Sequence, residues 1–219
     1  MPIGTESDHE EMRRAILAAA LVHVPFDGWT QASLSAGARD AGYSETEIVN
    51  AFPGGPIDMI AFWSTDADRR MLSSLERLGL PQLRVRERIA SAVRVRLEDV
   101  VAHREALRRA LGLLALPHNA ARGADLTWRS VDAIWWAAGD TSTDFNFYTK
   151  RALLTAVYAS TLLRFLDDRS EGCAETWAFL DRRIGEVMRV PQLLGSLKDR
   201  LAKFPNPLRF FRGRPFAGR

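Results

Sequence analysis

The chain has 219 residues, of which 47 % are hydrophobic and 26 % charged, the balance of a folded globular protein. Its length suits one large domain or two small ones, and no apolar run approaches the roughly 20 residues of a membrane-spanning helix. The acidic start resembles neither a secretion signal nor a transit peptide. The single cysteine, Cys173, excludes an intramolecular disulfide and a cysteine-built metal site, so we expect a reducing, cytoplasmic setting.

The net charge of +3 is unevenly distributed along the chain. Residues 192–219 contain seven Lys or Arg and one Asp, a local charge of +6, whereas the rest holds 23 basic and 26 acidic residues. This asymmetry indicates an anionic partner for one segment rather than for the whole protein.

Apolar residues recur at three- and four-residue spacing through most of the chain. This spacing predicts an all-α helical bundle of about nine or ten helices, and we interpret residues 1–9 as a disordered N-terminus. Met12, Ile16 and Ala19 share one face of the first helix, which Pro25 is expected to end. No alternating, β-branched segment stands out, so no sheet is predicted.

Residues 10–55 have the pattern of a helix-turn-helix. Leu34 and Ala38 would pack a short helix, Gly42 would make the tight turn, and Ser44 would cap the next helix with Glu47 completing a capping box. With the flanking runs Gly28-Trp29-Thr30 and Phe52-Pro53-Gly54-Gly55, this segment resembles the N-terminal module of TetR-type repressors, which implies a TetR-like fold.

The charges of this module disfavour DNA binding. The helix over residues 44–52 would enter the major groove, yet it carries Glu45 and Glu47 and no Lys or Arg. Binding through phosphate neutralisation needs several cations facing the duplex. We therefore expect a vestigial helix-turn-helix and no nucleic-acid partner, with a ligand-responsive TetR-type transcriptional regulator as the alternative.

A second pattern lies in the centre of the chain. Its most specific parts are Ala138-Gly139-Asp140, then Ser142-Thr143-Asp144-Phe145-Asn146, then Tyr148-Thr149. The pattern resembles the ninth Coq protein family, the lipid-binding accessory proteins of ubiquinone biosynthesis, over about residues 10–190. The resemblance implies a homodimer that holds an isoprenoid quinone lipid and presents it to the di-iron demethoxyubiquinone hydroxylase. It also implies a peripheral place on the inner membrane, on the matrix face in a mitochondrion.

The same resemblance implies that the segment around Tyr148 docks the hydroxylase. Aromatic residues next to arginine are typical of interface hot spots, whereas core packing of the same aromatics is the alternative. Charge reversal at Arg151 is then expected to weaken docking without unfolding the protein. The candidate partner-binding residues are Ile134, Asp144, Phe147, Tyr148 and Arg151.

Residues 56–191 are expected to form a helical lipid-binding core. Uncharged apolar stripes suit a tail-like ligand between helices, although the same stripes fit a solid core. The candidate lining residues are Leu111, Leu114, Trp135, Leu153, Val157, Leu162 and Trp177.

No catalytic motif is present. The four histidines show no metal-ligand spacing, and no phosphate-binding loop or nucleophile elbow occurs. We therefore expect no catalytic residue, metal or cofactor, and a stand-alone enzyme of isoprenoid metabolism remains a rival interpretation.

Residues 192–219 form a basic, amphipathic tail that is predicted to be helical at its start and to contact an anionic membrane surface. A disordered soluble tail and non-specific nucleic-acid binding are the alternatives. The candidate membrane-binding residues are Leu194, Leu197, Lys198, Arg200, Leu201, Lys203, Phe204, Phe210 and Phe211.

Overall fold

The computed structural model describes residues 6–79, 82–140 and 145–187, with the side chains of Phe145 and Asn146 left aside. These residues form nine α-helices and no strand, which confirms the predicted all-α class. None of these helices is long and apolar enough to cross a membrane. The helices are α1 Glu6–Asp27, α2 Gln31–Asp40, α3 Glu45–Ala51, α4 Gly55–Arg77, α5 Val85–Glu98, α6 Arg104–Leu114, α7 Ala120–Ala137, α8 Phe145–Asp167 and α9 Ala174–Val187.

Helix α1 is longer at both ends than its sequence predicts. It begins at Glu6, so residues 6–9 are helical rather than disordered, and it continues through Pro25 to Asp27. A proline near a helix C-terminus removes a single hydrogen bond, and here the next turn closes because the Gly28 N–H donates to the Val24 carbonyl at 2.9 Å. Gly28, at a φ of +72°, ends the helix.

Helices α1 to α3 form the predicted helix-turn-helix. Leu34 and Ala38 are fully buried, and Gly42 takes a φ of +81° in the turn. The predicted capping box of α3 is present: the Ser44 hydroxyl accepts from the Glu47 N–H, and the Glu47 carboxylate accepts from the Ser44 N–H at 2.8 Å. Local capping therefore sets the start of α3, as the sequence indicates.

Among the remaining helices, α4 contacts α5 and α7, α6 contacts α7 and α8, and α8 lies between α7 and α9. One hydrophobic cluster runs from Ile16 in α1 to Ile184 in α9. Trp29 joins the two parts, because its indole N–H donates to the Ala106 carbonyl at 2.8 Å and its ring lies 5.3 Å from that of Trp63. The helix-turn-helix and the larger bundle thus share one core.

A buried carboxylate fixes the start of α9. Asp168 accepts hydrogen bonds from the backbone and hydroxyl groups of Ser170 and Thr176, at 2.5 to 2.8 Å. Burial alone would raise the pKa of Asp168, but these four hydrogen bonds outweigh it and hold the pKa well below its usual range. The carboxylate is therefore a cap for the α8–α9 junction.

Candidate functional site

A cavity of about 310 Å³ lies between helices α4 to α8. This volume is at the lower end of the range of small-molecule sites. The lining is mostly apolar and consists of Ile60, Trp63, Ser64, Arg96, Val100, Leu107, Ala110, Leu111, Leu114, Ala115, Ala120, Gly123, Ala124, Leu126, Thr127, Ser130, Tyr158 and Leu162.

One end of the cavity reaches the surface where α6 passes into α7. The lining residues Ala115, Ala120 and Ala124 are exposed there. Gly123 lets α7 approach α6, because a Cβ at this position would lie 3.2 Å from the Leu114 Cβ. Small side chains therefore leave an opening between two closely packed helices.

The opposite, inner end of the cavity is polar. Arg96 is buried and donates through Nε to Asp68 at 2.7 Å and through Nη2 to the Ser64 carbonyl at 3.2 Å. The hydroxyl of buried Ser130 donates to both oxygens of Asp68, at 2.9 and 3.0 Å. Tyr158, also buried, completes this group. We call Ser64, Asp68, Arg96, Ser130 and Tyr158 the polar end.

The protonation states at the polar end follow from its geometry. Burial lowers the pKa of Arg96, but the neighbouring Tyr158, Asp68 and Asp99 raise it above its ordinary value. Burial raises the pKa of Tyr158, and nearby Asp68 adds to that rise, while Arg96 and a hydrogen bond with Ser130 oppose it. Arg96 therefore stays cationic and Tyr158 stays a neutral hydroxyl at neutral pH.

The structure places three of the seven residues proposed to line a lipid site in this cavity, namely Leu111, Leu114 and Leu162. The other four lie outside it. Trp135 donates to the Lys150 carbonyl at 3.2 Å, and Trp177 donates to the Gly172 carbonyl and packs on Phe165. Leu153 is half-buried and Val157 is buried, both away from the lining. Periodicity identifies the buried face of a helix. That face packs against several neighbouring helices, and only part of it borders the cavity.

Ion pairs next to the central sequence pattern join α7 to α8. We call the four residues that form them, Asp132, Asp140, Lys150 and Arg151, the charged lock. Asp140 accepts from Lys150 at 2.8 Å and from Arg151 at 3.3 Å. Arg151 also donates to Asp132 at 2.6 Å, and its guanidinium carbon lies 3.3 Å from the Phe147 ring centroid. Asp140 thus pairs with side chains ten and eleven residues later in the chain and ties the end of α7 to α8.

Two of the residues proposed from the sequence to bind a partner are buried in the structure. Ile134 is 0 % exposed and Arg151 is 4 % exposed, so neither contributes to an exposed surface. Ile134 faces the core on α7, and Arg151 points back to the carboxylates of Asp132 and Asp140. Asp144 lies outside the described residues.

Tyr148 and a tryptophan that the sequence analysis missed are exposed near this lock. Tyr148 is 64 % exposed and stacks edge-on against half-buried Phe147, with ring centroids 5.1 Å apart. Trp136, on α7, is also 64 % exposed. Trp135 and Trp136 are adjacent on one helix and point about 100° apart, which could have indicated that one of them faces solvent. We call Trp136, Phe147 and Tyr148 the aromatic patch.

A longer apolar stripe follows the outer face of α8. The sequence places Tyr148, Ala152, Ala156, Ala159 and Leu163 on one face, and the structure exposes all of them except half-buried Ala159. Leu163 is 62 % exposed. An apolar face of this kind on a surface helix is typical of a protein interface.

The outer face of α3 is acidic and otherwise uncharged. Glu45, Thr46, Val49 and Asn50 are exposed along it, and α3 carries no Lys or Arg. The described residues also contain no group of three or more His, Cys, Asp or Glu that could hold a metal ion.

Comparison with known proteins identifies the family to which the chain belongs. A sequence model of the COQ9 family matches residues 120–191, which include α7, α8 and the charged lock. The chain is 35 % identical over 196 residues to ubiquinone biosynthesis protein COQ9-B, mitochondrial, of Xenopus laevis, covering 84 % of this chain and 67 % of that protein. The chain belongs to the COQ9 family.

Other COQ9 proteins give similar values. The human protein, ubiquinone biosynthesis protein COQ9, mitochondrial, is 35 % identical over 197 residues, and that of Drosophila melanogaster is 32 % identical over 202 residues. The match covers 87 % of this chain and 62 % of the human protein, so the chain spans about three fifths of the length of these relatives.

The fold of this COQ9 chain is that of TetR proteins. A TetR transcriptional regulator from Nitrosomonas europaea superposes with a TM-score of 0.69 at 24 % identity, covering 81 % of this chain and 98 % of the regulator. This likeness confirms the TetR-like architecture predicted from residues 10–55 and concerns the fold alone.

Proposed function

We propose that this protein is a non-catalytic accessory protein of ubiquinone biosynthesis that holds an isoprenoid quinone lipid in the cavity formed by helices α4 to α8. Membership in the COQ9 family, whose curated relatives are named for this pathway, supports the biosynthetic role. The observation that carries the lipid-holding role is the apolar cavity, open at the α6–α7 junction and large enough for part of such a lipid.

Lipid analysis of the purified protein tests the cavity. We expect mass spectrometry to find a stoichiometric isoprenoid or quinone in the wild type and little in Ala124→Trp, because an indole at the mouth would fill the opening. Ala121→Trp, three residues earlier on α7, exposed and outside the lining, is the matched control. Equal lipid in all three proteins, or bulk phospholipid alone, would contradict the proposal.

The aromatic patch is the proposed contact for the demethoxyubiquinone hydroxylase, a di-iron enzyme. Exposed aromatics beside the ion pairs that join Asp132 and Asp140 to α8 are suited to docking, because aromatic side chains lose little conformational entropy on binding. We expect Tyr148→Ala and Trp136→Ala to weaken co-purification with the hydroxylase. Phe26→Ala on α1, another exposed aromatic at 81 %, is the control. Capture at the wild-type level by both patch variants would contradict this assignment.

The part of the α8 stripe from Ala152 to Leu163 is proposed to pair with a second copy. Alanines at positions 152 and 156 would let two α8 helices approach closely about a two-fold axis. Ala156→Arg places a charge in that contact and is expected to yield a monomer in analytical ultracentrifugation of a dimeric wild type. A monomeric wild type, or a dimer that tolerates the arginine, would show that the stripe serves another purpose.

Residues 192–219 lie outside the described residues, and their role as a membrane contact stays a proposal from the sequence. It would place the protein peripherally on the inner membrane, at the matrix face in a mitochondrion. Removing residues 192–219 is expected to abolish flotation with anionic liposomes while the helical circular dichroism signal is retained. Flotation of the truncated protein at the wild-type level would disprove the contact.

A TetR-type regulator is the alternative function. The fold permits it, but the outer face of α3 presents Glu45 where a DNA-binding helix needs cations. A gel-shift with genomic fragments at low salt is expected to show no complex. A sequence-dependent complex would favour the regulator.

A further inference from the structure

The polar end of the cavity places hydrogen-bonding groups beside an otherwise apolar wall. Arg96 engages Nε with Asp68 and Nη2 with Ser64, and among the described residues no hydrogen bond uses its Nη1. The Tyr158 hydroxyl lies in the same lining, close to Ser130. A hydrocarbon seated here would leave the Arg96 Nη1 donor without an acceptor, which is unfavourable.

The charges of the polar end select the kind of acceptor. Arg96 is already paired with Asp68, and both oxygens of Asp68 are occupied by Arg96 and Ser130. An anionic ligand group would leave this buried cluster with a net negative charge, which a low-dielectric site disfavours. A neutral group with several oxygen acceptors, such as a quinone, phenol or methoxy-substituted ring, satisfies the donors without that excess charge.

Apolar side chains near the polar end are available to contact a ring. Ile60, Trp63 and Val100 line the cavity together with Ser64 and Arg96, and all five come from α4, from the C-terminal part of α5 or from the turn directly after it. Toward the mouth the lining becomes leucine and alanine, namely Leu111, Leu114 and Ala124, as a hydrocarbon tail requires.

We propose that the cavity takes its lipid head-first, with a neutral oxygenated ring at Arg96 and Tyr158 and the isoprenoid tail leaving between α6 and α7. This inference rests on the proposed lipid-holding function and assigns Tyr158 and Arg96 as the residues that distinguish a quinone from a plain isoprenoid. The tail then lies at the mouth of the cavity and the ring at its closed end, so the ring becomes accessible to another protein only when the helices around it move.

The test compares two probes on the full-length protein: a benzoquinone carrying two isoprene units, and the isoprenoid hydrocarbon of the same tail length without the ring. Calorimetric titration gives the affinity of each for the wild type, Tyr158→Phe and Tyr43→Phe. Tyr158→Phe removes the hydroxyl at the polar end and keeps the ring. Tyr43→Phe removes a hydroxyl from a half-buried tyrosine in the helix-turn-helix.

We expect the wild type to bind the quinone more tightly than the hydrocarbon, and Tyr158→Phe to lose about tenfold in quinone affinity with the hydrocarbon affinity unchanged. Tyr43→Phe should match the wild type on both probes. A purely structural role for Tyr158 would move both affinities together, and that outcome overturns the head-first assignment.

The outcomes separate this inference from the proposed function. If the wild type binds both probes equally, Tyr158→Phe changes neither, and Ala124→Trp abolishes both, the cavity holds lipid but the orientation is wrong. If the wild type binds neither probe, the lipid-holding function itself fails.

Discussion

The helix-turn-helix of α1–α3 and the bundle of α4–α9 are built by different means, although they share one core. The first is specified by signals close in sequence: a hydroxyl cap, a glutamate three residues later and a glycine in the turn. The second depends on charges that meet across long sequence separations, such as Asp68 with Arg96 and Asp132 with Arg151. The first region keeps its shape with an acidic outer face, while the second encloses the cavity.

The largest expected effect tests whether the long-range charges hold the bundle. Arg151→Glu places a third carboxylate next to Asp132 and Asp140 in a buried site, and we expect it to lower the free energy of unfolding by about 3–5 kcal/mol. Urea unfolding followed by circular dichroism measures it. Arg151→Lys keeps the charge and should cost clearly less. A fully stable Arg151→Glu would restore the expectation that Arg151 acts in docking alone.

The second change asks whether the two regions unfold together. A Cβ on Gly37 would lie 2.5 Å from the Ala20 backbone nitrogen, so Gly37→Ala must force α1 and α2 apart, at about 3 kcal/mol. Because the core is continuous, we expect one unfolding transition at a lower urea concentration. Gly112→Ala, with open space around its Cβ in α6, should instead stabilise by about 0.5–1 kcal/mol. Two separate unfolding transitions would contradict the conclusion that the two regions share one core.

The third prediction concerns pH and the α8–α9 junction. The pKa of Asp168 is depressed in the folded protein, so its contribution is present above the ordinary aspartate pKa of about 3.9 and is lost as pH falls toward the folded pKa. Asp168→Asn should cost about 2 kcal/mol at pH 7, and the difference from the wild type should shrink below pH 4. Urea unfolding at several pH values measures this. Asp167→Asn, its exposed neighbour, should show little effect, and an equal loss at pH 3 and pH 7 would refute the assignment.

The smallest effect measures a purely local signal. Ser44→Ala removes the cap of α3 and should cost about 1 kcal/mol, whereas Ser44→Thr keeps the hydroxyl and should cost less. Neither change should alter quinone binding, since α3 contributes nothing to the cavity lining. Weaker binding in Ser44→Ala would show that the helix-turn-helix supports the cavity more directly than its contacts indicate.

The contrast also explains what the sequence could predict. Leu34, Ala38, Gly42 and Ser44 act within a few residues of one another, so spacing alone predicted their roles. The lining was only half anticipated, because Leu111 and Trp135 lie on equally apolar stripes and only the packing of helices decides which stripe meets the cavity.

The charged lock escaped prediction for a related reason. Arg151 stands in a row with exposed Tyr148 and Ala152, and nothing local reveals that its partners are Asp132 and Asp140 on the preceding helix and turn. The polar end was missed likewise, because Asp68, Arg96 and Ser130 come from three helices.

The paired charges at the polar end have a consequence for how a bound lipid would be released. The pKa of Tyr158 and that of Arg96 both lie above their ordinary values, so neither donor loses its proton between acidic and mildly alkaline conditions. A lipid held at the polar end as proposed would therefore keep the same affinity over this pH range. Its release would depend on movement of the surrounding helices, which binding to another protein can drive, so transfer would be timed by that encounter and not by acidity.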